Sequence, residues 1–119
     1  MTTKNTAKPV PLGPISLMHY TLAVSQLINL AYKDVGGSRV AAQVLLSLYN
    51  GDEFHVDLTD LCLLDEHYYH AAMIAIRGRI EFRNEPHEMI GGGGKLFEQL
   101  WEDWKHLHVT KRYAKHYQQ

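Results

Sequence analysis

The sequence predicts a small all-α protein: a single-domain bundle of about four helices with one short extra helical turn. The chain has 119 residues, 45% of them hydrophobic, which fits one domain with a buried core. Apolar residues recur at steps of three and four in four stretches, the period of a helix with one buried face. Residues 54–56 alternate, but one strand cannot form a sheet, so we interpret them as a connector.

The first two helices are separated by a pair of glycines. The first is predicted over residues 15–32, with Pro14 at its start, where the missing N–H of proline is tolerated. Its apolar face is Leu17, Tyr20, Val24, Leu27, Ile28 and Ala31. Ser38 is predicted to cap the second helix, residues 39–49. The buried stripe of that helix is Ala41, Val44, Leu45 and Leu48. Its solvent side is Arg39, Gln43 and Ser47.

Two further helices follow an acidic turn. Asp57 is predicted to cap a single helical turn, and Asp65 to cap a long helix over residues 66–82. The apolar stripe of the long helix is Tyr69, Met73, Ile76 and Ile80, widened by Ala72 and Ala75. Gly78 costs about 1 kcal/mol in a helix relative to alanine, so we expect a close helix crossing there. The last helix is predicted over residues 95–107. Its apolar face is Phe97, Leu100, Trp101 and Trp104.

The chain divides into three parts. Residues 1–13 contain two prolines and no apolar period, which predicts a flexible N-terminal arm. Residues 14–107 are the predicted helical domain, and residues 108–119 are a basic C-terminal tail with little apolar period. The four glycines at 91–94 follow no strand and precede no Lys-Ser or Lys-Thr pair, so they are interpreted as a hinge or surface loop instead of a phosphate-binding loop.

The composition indicates in which cellular compartment the protein is expected to function. One cysteine, Cys62, excludes an internal disulfide and a four-cysteine zinc site. The first residues lack the apolar region of a secretion signal, and no run approaches the ~18 apolar residues of a membrane span. We therefore expect a cytoplasmic protein that does not contact the membrane. The net charge of −1 excludes a global polycation or polyanion.

No group of residues carries a catalytic signature. His67 and His70 share a helix face, but zinc normally has three or four converging ligands, so they are interpreted as solvated histidines. Cys62 lies among leucines and acids, which disfavours a reactive thiolate, and it is predicted to be a buried packing residue. Asp57 and Asp60 are interpreted as helix caps and not as a catalytic pair. We predict a non-enzymatic protein without metal or other cofactor.

Charge is separated along the sequence. Between Arg39 and Arg77 there is no lysine or arginine, and the acids there are Asp52, Glu53, Asp57, Asp60, Asp65 and Glu66. After Asp103 there is no acid, and the cations are Lys105, Lys111, Arg112 and Lys115. The simplest interpretation is that each run of charge forms a solvent-exposed face of the protein. Alternatively, an acidic face binds a basic partner surface, the basic tail binds phosphates, or the two pair between subunits. The candidate acidic face is Asp52, Glu53, Asp65 and Glu66.

Several short runs resemble a known family. They are DVGGSRVA at 34–41, VDLTDL at 56–61, the long helix, and GKLFE at 94–98. They are similar to a family of small uncharacterised proteins carried by bacterial plasmids, prophages and integrative elements. The resemblance covers roughly residues 27–104, and DLTDL is its most specific part, although this chain has Cys62 where the family has an aromatic residue. The resemblance brings no activity or catalytic residues, but implies a mobile genetic element in conflict with its host.

These observations predict a small non-enzymatic protein of a mobile element or phage that binds a host protein complex. An anti-defence role, such as inhibition of a CRISPR complex, is one form of this function. The alternative is an accessory nucleic-acid-binding protein that uses the basic tail. A metal-dependent enzyme built on His67 and His70 is the least favoured.

Overall fold

The computed structural model describes residues 13–117, which form helices and contain no strand. The α-helices are α1 (Leu17–Ala31), α2 (Ser38–Tyr49), α3 (Glu66–Phe82), α4 (Gly93–Asp103), α5 (Val109–Arg112) and α6 (Ala114–Tyr117). Three 3-10 helices join them: Leu58–Leu63, Pro86–Met89 and Lys105–Leu107. The predicted all-α fold with four principal helices is confirmed. The predicted arm lies outside the described residues, except for Gly13.

Helices α1 and α3 pack against each other in antiparallel directions. The ring of Tyr20, near the start of α1, lies against Gly78 and stacks on Phe82 at 6.4 Å, near the end of α3. A Cβ atom on Gly78 would lie 2.3 Å from Cγ of Tyr20, so only glycine permits this approach. The predicted close crossing at Gly78 is confirmed. The other buried residues of α3 are also small: Ala71, Ala72 and Ala75.

The larger apolar residues of α3 do not form its buried face, contrary to the prediction. Ile80 is 64% exposed, and Tyr69, Met73 and Ile76 are half-buried. Because α1 approaches the backbone of α3 closely, small residues occupy the interface and larger side chains lie at its margins. In α1 the predicted apolar face is buried except for Leu17, which is exposed.

Helix α2 lies in the core and is buried on nearly every side. Gln43, predicted to face solvent, is 1% exposed. Its Nε2 donates to the carbonyl oxygen of His55 at 3.3 Å, and its Oε1 accepts from Arg39, so both ends of the amide have partners. Ser38 does not cap the helix as predicted, because it is the first residue of α2 and its hydroxyl is directed at α1 and the loop that follows α1: it accepts from the N–H of Val35 at 2.9 Å and donates to the carbonyl oxygen of Leu30 at 2.6 Å.

Local hydrogen bonds set the helix starts. Helix α1 begins after Ser16 and not at Pro14: Oγ of Ser16 accepts from the N–H of His19 at 3.1 Å, and Nδ1 of His19 accepts from the N–H of Ser16 at 3.1 Å. Asp65 caps α3 as predicted, accepting from the N–H of Tyr68 at 3.1 Å.

The glycine run contributes to the packing of α4. Gly92 adopts a left-handed conformation, with φ of 70°, and α4 begins at Gly93 and not at Lys95. A Cβ atom on Gly93 would lie 1.8 Å from the carbonyl oxygen of His87. The interpretation as a hinge or surface loop is therefore wrong for Gly93, which is buried, although Gly91 is exposed.

Aromatic rings pack α4 against α2 and against the connector that follows α2. Phe97 is buried 5.1 Å from the ring of Tyr49, and Trp101 packs edge-on against Phe54 at 4.7 Å. Helix α4 ends at Asp103, four residues before the predicted end at 107, and a 3-10 helix completes the segment. Within residues 13–117, no helix is both long enough and apolar enough to cross a membrane.

Gly78→Ala is expected to destabilise the protein, although alanine is better than glycine in a helix by about 1 kcal/mol. The added methyl group would overlap the ring of Tyr20, and overpacking of this kind typically costs about 1–3 kcal/mol. Urea unfolding followed by circular dichroism measures the difference. Gly94→Ala in α4 is the matched control, because a Cβ atom there meets nothing within 4 Å. Equal stability of the two variants would contradict the close crossing.

Alkaline pH is expected to destabilise the fold through Tyr20. Burial raises the pKa of Tyr20 to about 12 from its ordinary 10.0, and its hydroxyl donates to the carbonyl oxygen of Asn84 at 2.8 Å. The unfolded chain therefore loses this proton first, and the free energy of unfolding falls as the pH rises from about 10 towards 12. Urea titrations at about pH 8 and about pH 11 measure how far the free energy of unfolding falls between the two pH values. This fall should be smaller for Tyr20→Phe than for the control Tyr69→Phe.

Candidate protein-docking surface

The 3-10 helix Leu58–Leu63, which contains most of the DLTDL run, presents apolar side chains to solvent. Leu58 is 76% exposed and Leu63 is 58% exposed. Cys62 is also exposed, so its prediction as a buried packing residue is wrong. Leu61 is half-buried, and the following Leu64 is buried in the core. We call this element the leucine segment.

The two aspartates of the DLTDL run bind arginines of this chain and do not cap helices with their side chains. Asp57 occupies the N-cap position, but its Oδ2 accepts from Nη2 of Arg112 at 2.6 Å. Oδ2 of Asp60 accepts from Nη1 of Arg39 at 3.1 Å. The interpretation as side-chain caps is therefore wrong for both. The two aspartates hold the leucine segment to the domain, while Leu58 and Leu63 remain exposed.

A groove separates the leucine segment from α3. Its lining is mainly apolar: Leu58, Leu61, Cys62, Leu64, Tyr69 and Met73. Glu66 and His70, from the first turns of α3, also line it. Glu66 is exposed and forms no ion pair within the described residues. The groove is thus an open apolar surface with a carboxylate at its edge.

The four residues of the predicted acidic face fall into two pairs. Asp52 and Glu53 lie in the turn after α2, whereas Asp65 and Glu66 lie at the start of α3. Glu53 accepts from Nδ2 of Asn50 at 2.7 Å and contacts Nε2 of His108 at 3.1 Å. Asp65 is the N-cap of α3, whose dipole and free N–H groups favour its negative charge. Asp52 and Glu66 remain exposed.

The basic tail folds back onto the acidic connector. Residues 109–117 form two short helices, where little regular structure was predicted. The N–H of Val109 donates to the carbonyl oxygen of Glu53 at 2.9 Å, and Val109 is buried. Arg112 donates to the carbonyl oxygen of His55 as well as to the carboxylate of Asp57. One alternative was that the acidic residues and the basic tail pair between subunits. In the structure, Arg112 and Asp57 form such a pair within a single chain.

The other tail cations are less constrained. Lys105 contacts Glu102 at 3.4 Å, and both side chains are mostly exposed. Lys111 and Lys115 are exposed, and in the described part of the chain neither forms a side-chain hydrogen bond or ion pair. Of the basic residues predicted to contact a partner, Arg112 forms the most hydrogen bonds within residues 13–117 of the chain.

The histidine pair considered as a metal site, His67 and His70, lies on the surface of α3. His67 and His70 are exposed on α3, with their rings beside Tyr68 and Tyr69 respectively. Among residues 13–117, no group of three or more histidine, cysteine or carboxylate side chains is arranged to hold a metal ion.

The sequence reasoning did not identify Leu58 and Leu63 as surface residues. The available signal was the arrangement of apolar residues in and just after the predicted single turn. Leu58, Leu61, Cys62 and Leu63 do not share one face of a short helix, so such an element cannot bury all of them. The sequence also did not reveal that Arg39 binds Asp60, because the two residues are 21 positions apart in the chain.

Comparison with known proteins gives one family. The model of a family of unknown function, DUF7673, matches residues 21–105. The chain belongs to this family. Searches for similar curated proteins and for similar solved structures found no match. The DUF7673 match contains the leucine segment, Arg39 and the groove, whereas Arg112 lies beyond it.

The pair between Arg112 and Asp57 should be measurable by a double-mutant cycle. Arg112→Gln combined with Asp57→Asn is expected to give a coupling free energy of about 0.2–1 kcal/mol, since the carboxylate is half exposed. Hydrogen exchange at the N–H of Val109 should accelerate in both single variants. Lys111→Gln, which changes an exposed neighbour of Arg112, is the control and should show no coupling to Asp57→Asn. Coupling as large for Lys111 would contradict the assigned pair.

Proposed function

We propose that this chain is a non-enzymatic binding protein of a mobile genetic element, acting in the bacterial cytoplasm. It occupies a surface of a host protein complex and has an anti-defence role, such as inhibition of a CRISPR complex. The resemblance to proteins of plasmids, prophages and integrative elements supports the setting. The exposed leucines of the leucine segment support the binding role.

The observation that carries the proposal is the orientation of the leucine segment. Its aspartates face the chain's own arginines, while Leu58 and Leu63 face solvent. Burying one leucine side chain completely contributes roughly 1.5–3 kcal/mol, so the two exposed leucines of this short element offer a partner substantial apolar surface. Exposed apolar patches with polar edges are typical of interaction sites.

Charge complements this apolar surface. The stretch between Arg39 and Arg77 contains no lysine or arginine, and Asp52, Asp65 and Glu66 are exposed within it. A basic surface on the partner, such as one that binds nucleic acid, would be attracted to this side of the molecule. Electrostatic attraction of this kind mainly accelerates encounter and suppresses wrong partners.

The nucleic-acid alternative has less support. Arg112 is engaged by Asp57, and Lys105 lies beside Glu102. Lys111 and Lys115 remain for phosphate contacts, and each neutralised phosphate adds one small increment to affinity. We therefore favour a protein partner over nucleic acid.

Phage plaquing on bacteria with active CRISPR systems tests this function. Expression of the chain is expected to raise the plaquing of a targeted phage in at least one host of a panel that covers the CRISPR types. Leu58→Asp combined with Leu63→Asp should abolish the effect, because charge at a buried hot spot typically weakens binding by tenfold or more.

The matched control is Met18→Asp combined with Leu22→Asp. These α1 side chains are 70% and 53% exposed, so the control introduces the same charges at similarly exposed apolar positions. Urea unfolding should show that both double variants remain folded. An absence of any effect across the panel would contradict the anti-CRISPR role. Equal loss in both double variants would contradict the assignment of the binding surface.

A further inference from the structure

We infer that the groove between the leucine segment and α3 binds an amphipathic segment of the partner protein that combines apolar side chains with lysine or arginine. This inference rests on the proposed function, because it specifies the chemistry of the partner that the binding protein recognises. Three properties of the groove support it: its apolar lining, its acidic edge and the fixed position of its walls.

The apolar lining is suited to insertion of side chains. The groove has a volume of about 540 Å³, within the range of small-ligand sites in proteins. Leu58 and Leu61 form one side, and Tyr69 and Met73 of α3 form the other. Methionine is flexible and polarisable, so it adapts to side chains of different shape. An apolar groove beside a helix can accept the apolar face of an amphipathic helix.

The edge of the groove carries uncompensated negative charge. Glu66 lines the groove and has no ion pair in the described chain, and Asp65 precedes it. The nearby carboxylates of Asp57 and Asp60 are each matched by an arginine, so they add little net charge. A cationic side chain beside the inserted apolar residue would therefore pair with Glu66. An acidic peptide or an anionic lipid surface would be repelled.

The walls of the groove are held from both sides. Leu64 is buried in the core, and its N–H donates to the carbonyl oxygen of Leu61 at 3.2 Å. Arg39 from α2 holds Asp60 within the leucine segment, and Arg112 from α5 holds Asp57 at its start. A site held in this way loses less conformational entropy on binding than a mobile loop does.

Selection from a random twelve-residue peptide library on phage tests the inference, with the immobilised full chain as bait. Enriched peptides are expected to carry an apolar residue within about one helical turn of a lysine or arginine. Their affinity, measured by fluorescence anisotropy on synthetic copies, should fall by tenfold or more for Leu58→Asp and by about threefold or more for Glu66→Lys. Leu22→Asp and Glu98→Lys, which change exposed residues outside the groove, are the matched controls and should bind like the parent.

A charge exchange makes the test specific to Glu66. Replacing the cation of an enriched peptide by glutamate should weaken binding to the parent and restore binding to Glu66→Lys. No enrichment over an empty matrix, enrichment of acidic peptides, or equal binding to Leu58→Asp would overturn the inference. Light scattering that detects a dimer abolished by Leu58→Asp would also overturn it, because a second copy would then fill the groove.

The two proposals fail separately. If plaquing depends on Leu58 while no peptide binds the groove, the proposed function stands and the inferred partner chemistry is wrong. If basic amphipathic peptides bind the groove while no host defence is relieved, the partner chemistry stands and the anti-defence role is wrong.

Discussion

The close approach of α1 to α3 at Gly78 determines how the rest of the molecule is arranged. Because the ring of Tyr20 occupies the space of a side chain at Gly78, the two helices meet through small residues on α3. The hydroxyl of Tyr20 then reaches the carbonyl oxygen of Asn84, just beyond the end of α3. This geometry leaves the larger side chains of α3, among them Met73, outside the helix interface. One of the two walls of the groove is therefore a consequence of the helix crossing.

In a typical surface turn, polar side chains face solvent and apolar side chains face the core; the leucine segment shows the opposite arrangement. Asp60 within it and Asp57 just before it contact arginines from α2 and α5, and Leu58 and Leu63 face solvent. Exposed ion pairs usually stabilise a fold by less than about 1 kcal/mol, so neither pair alone explains the conformation. The buried Leu64 and the hydrogen-bonded turn beside it provide the anchor, and the arginines select the orientation. Stability is thus obtained without burying Leu58, which remains available for another molecule.

The sequence predicted those features that depend on local pattern. The apolar period located four helices, Asp65 was identified as a cap, and the cost of Gly78 indicated a close crossing. Features that depend on distant partners were missed. Gln43 has the polarity of a surface residue, and its burial is favourable because Arg39 and the carbonyl oxygen of His55, 12 positions away, satisfy its amide group. The exposure of Cys62 follows from the orientation of the leucine segment, to which Arg112 contributes from 55 positions after Asp57. No local period encodes such pairings.

The tail and the groove are electrostatically connected, although they occupy different parts of the sequence. Arg112 neutralises Asp57 at the start of the leucine segment, and His108 contacts Glu53 in the preceding connector. Asp57 directly precedes the leucine segment, so its pair with Arg112 balances a negative charge beside the groove. The leucine segment is also held by Arg39 and by the buried Leu64, both within the region matched by the DUF7673 model. The tail therefore contributes one cation beside a groove whose lining residues all belong to the helical domain.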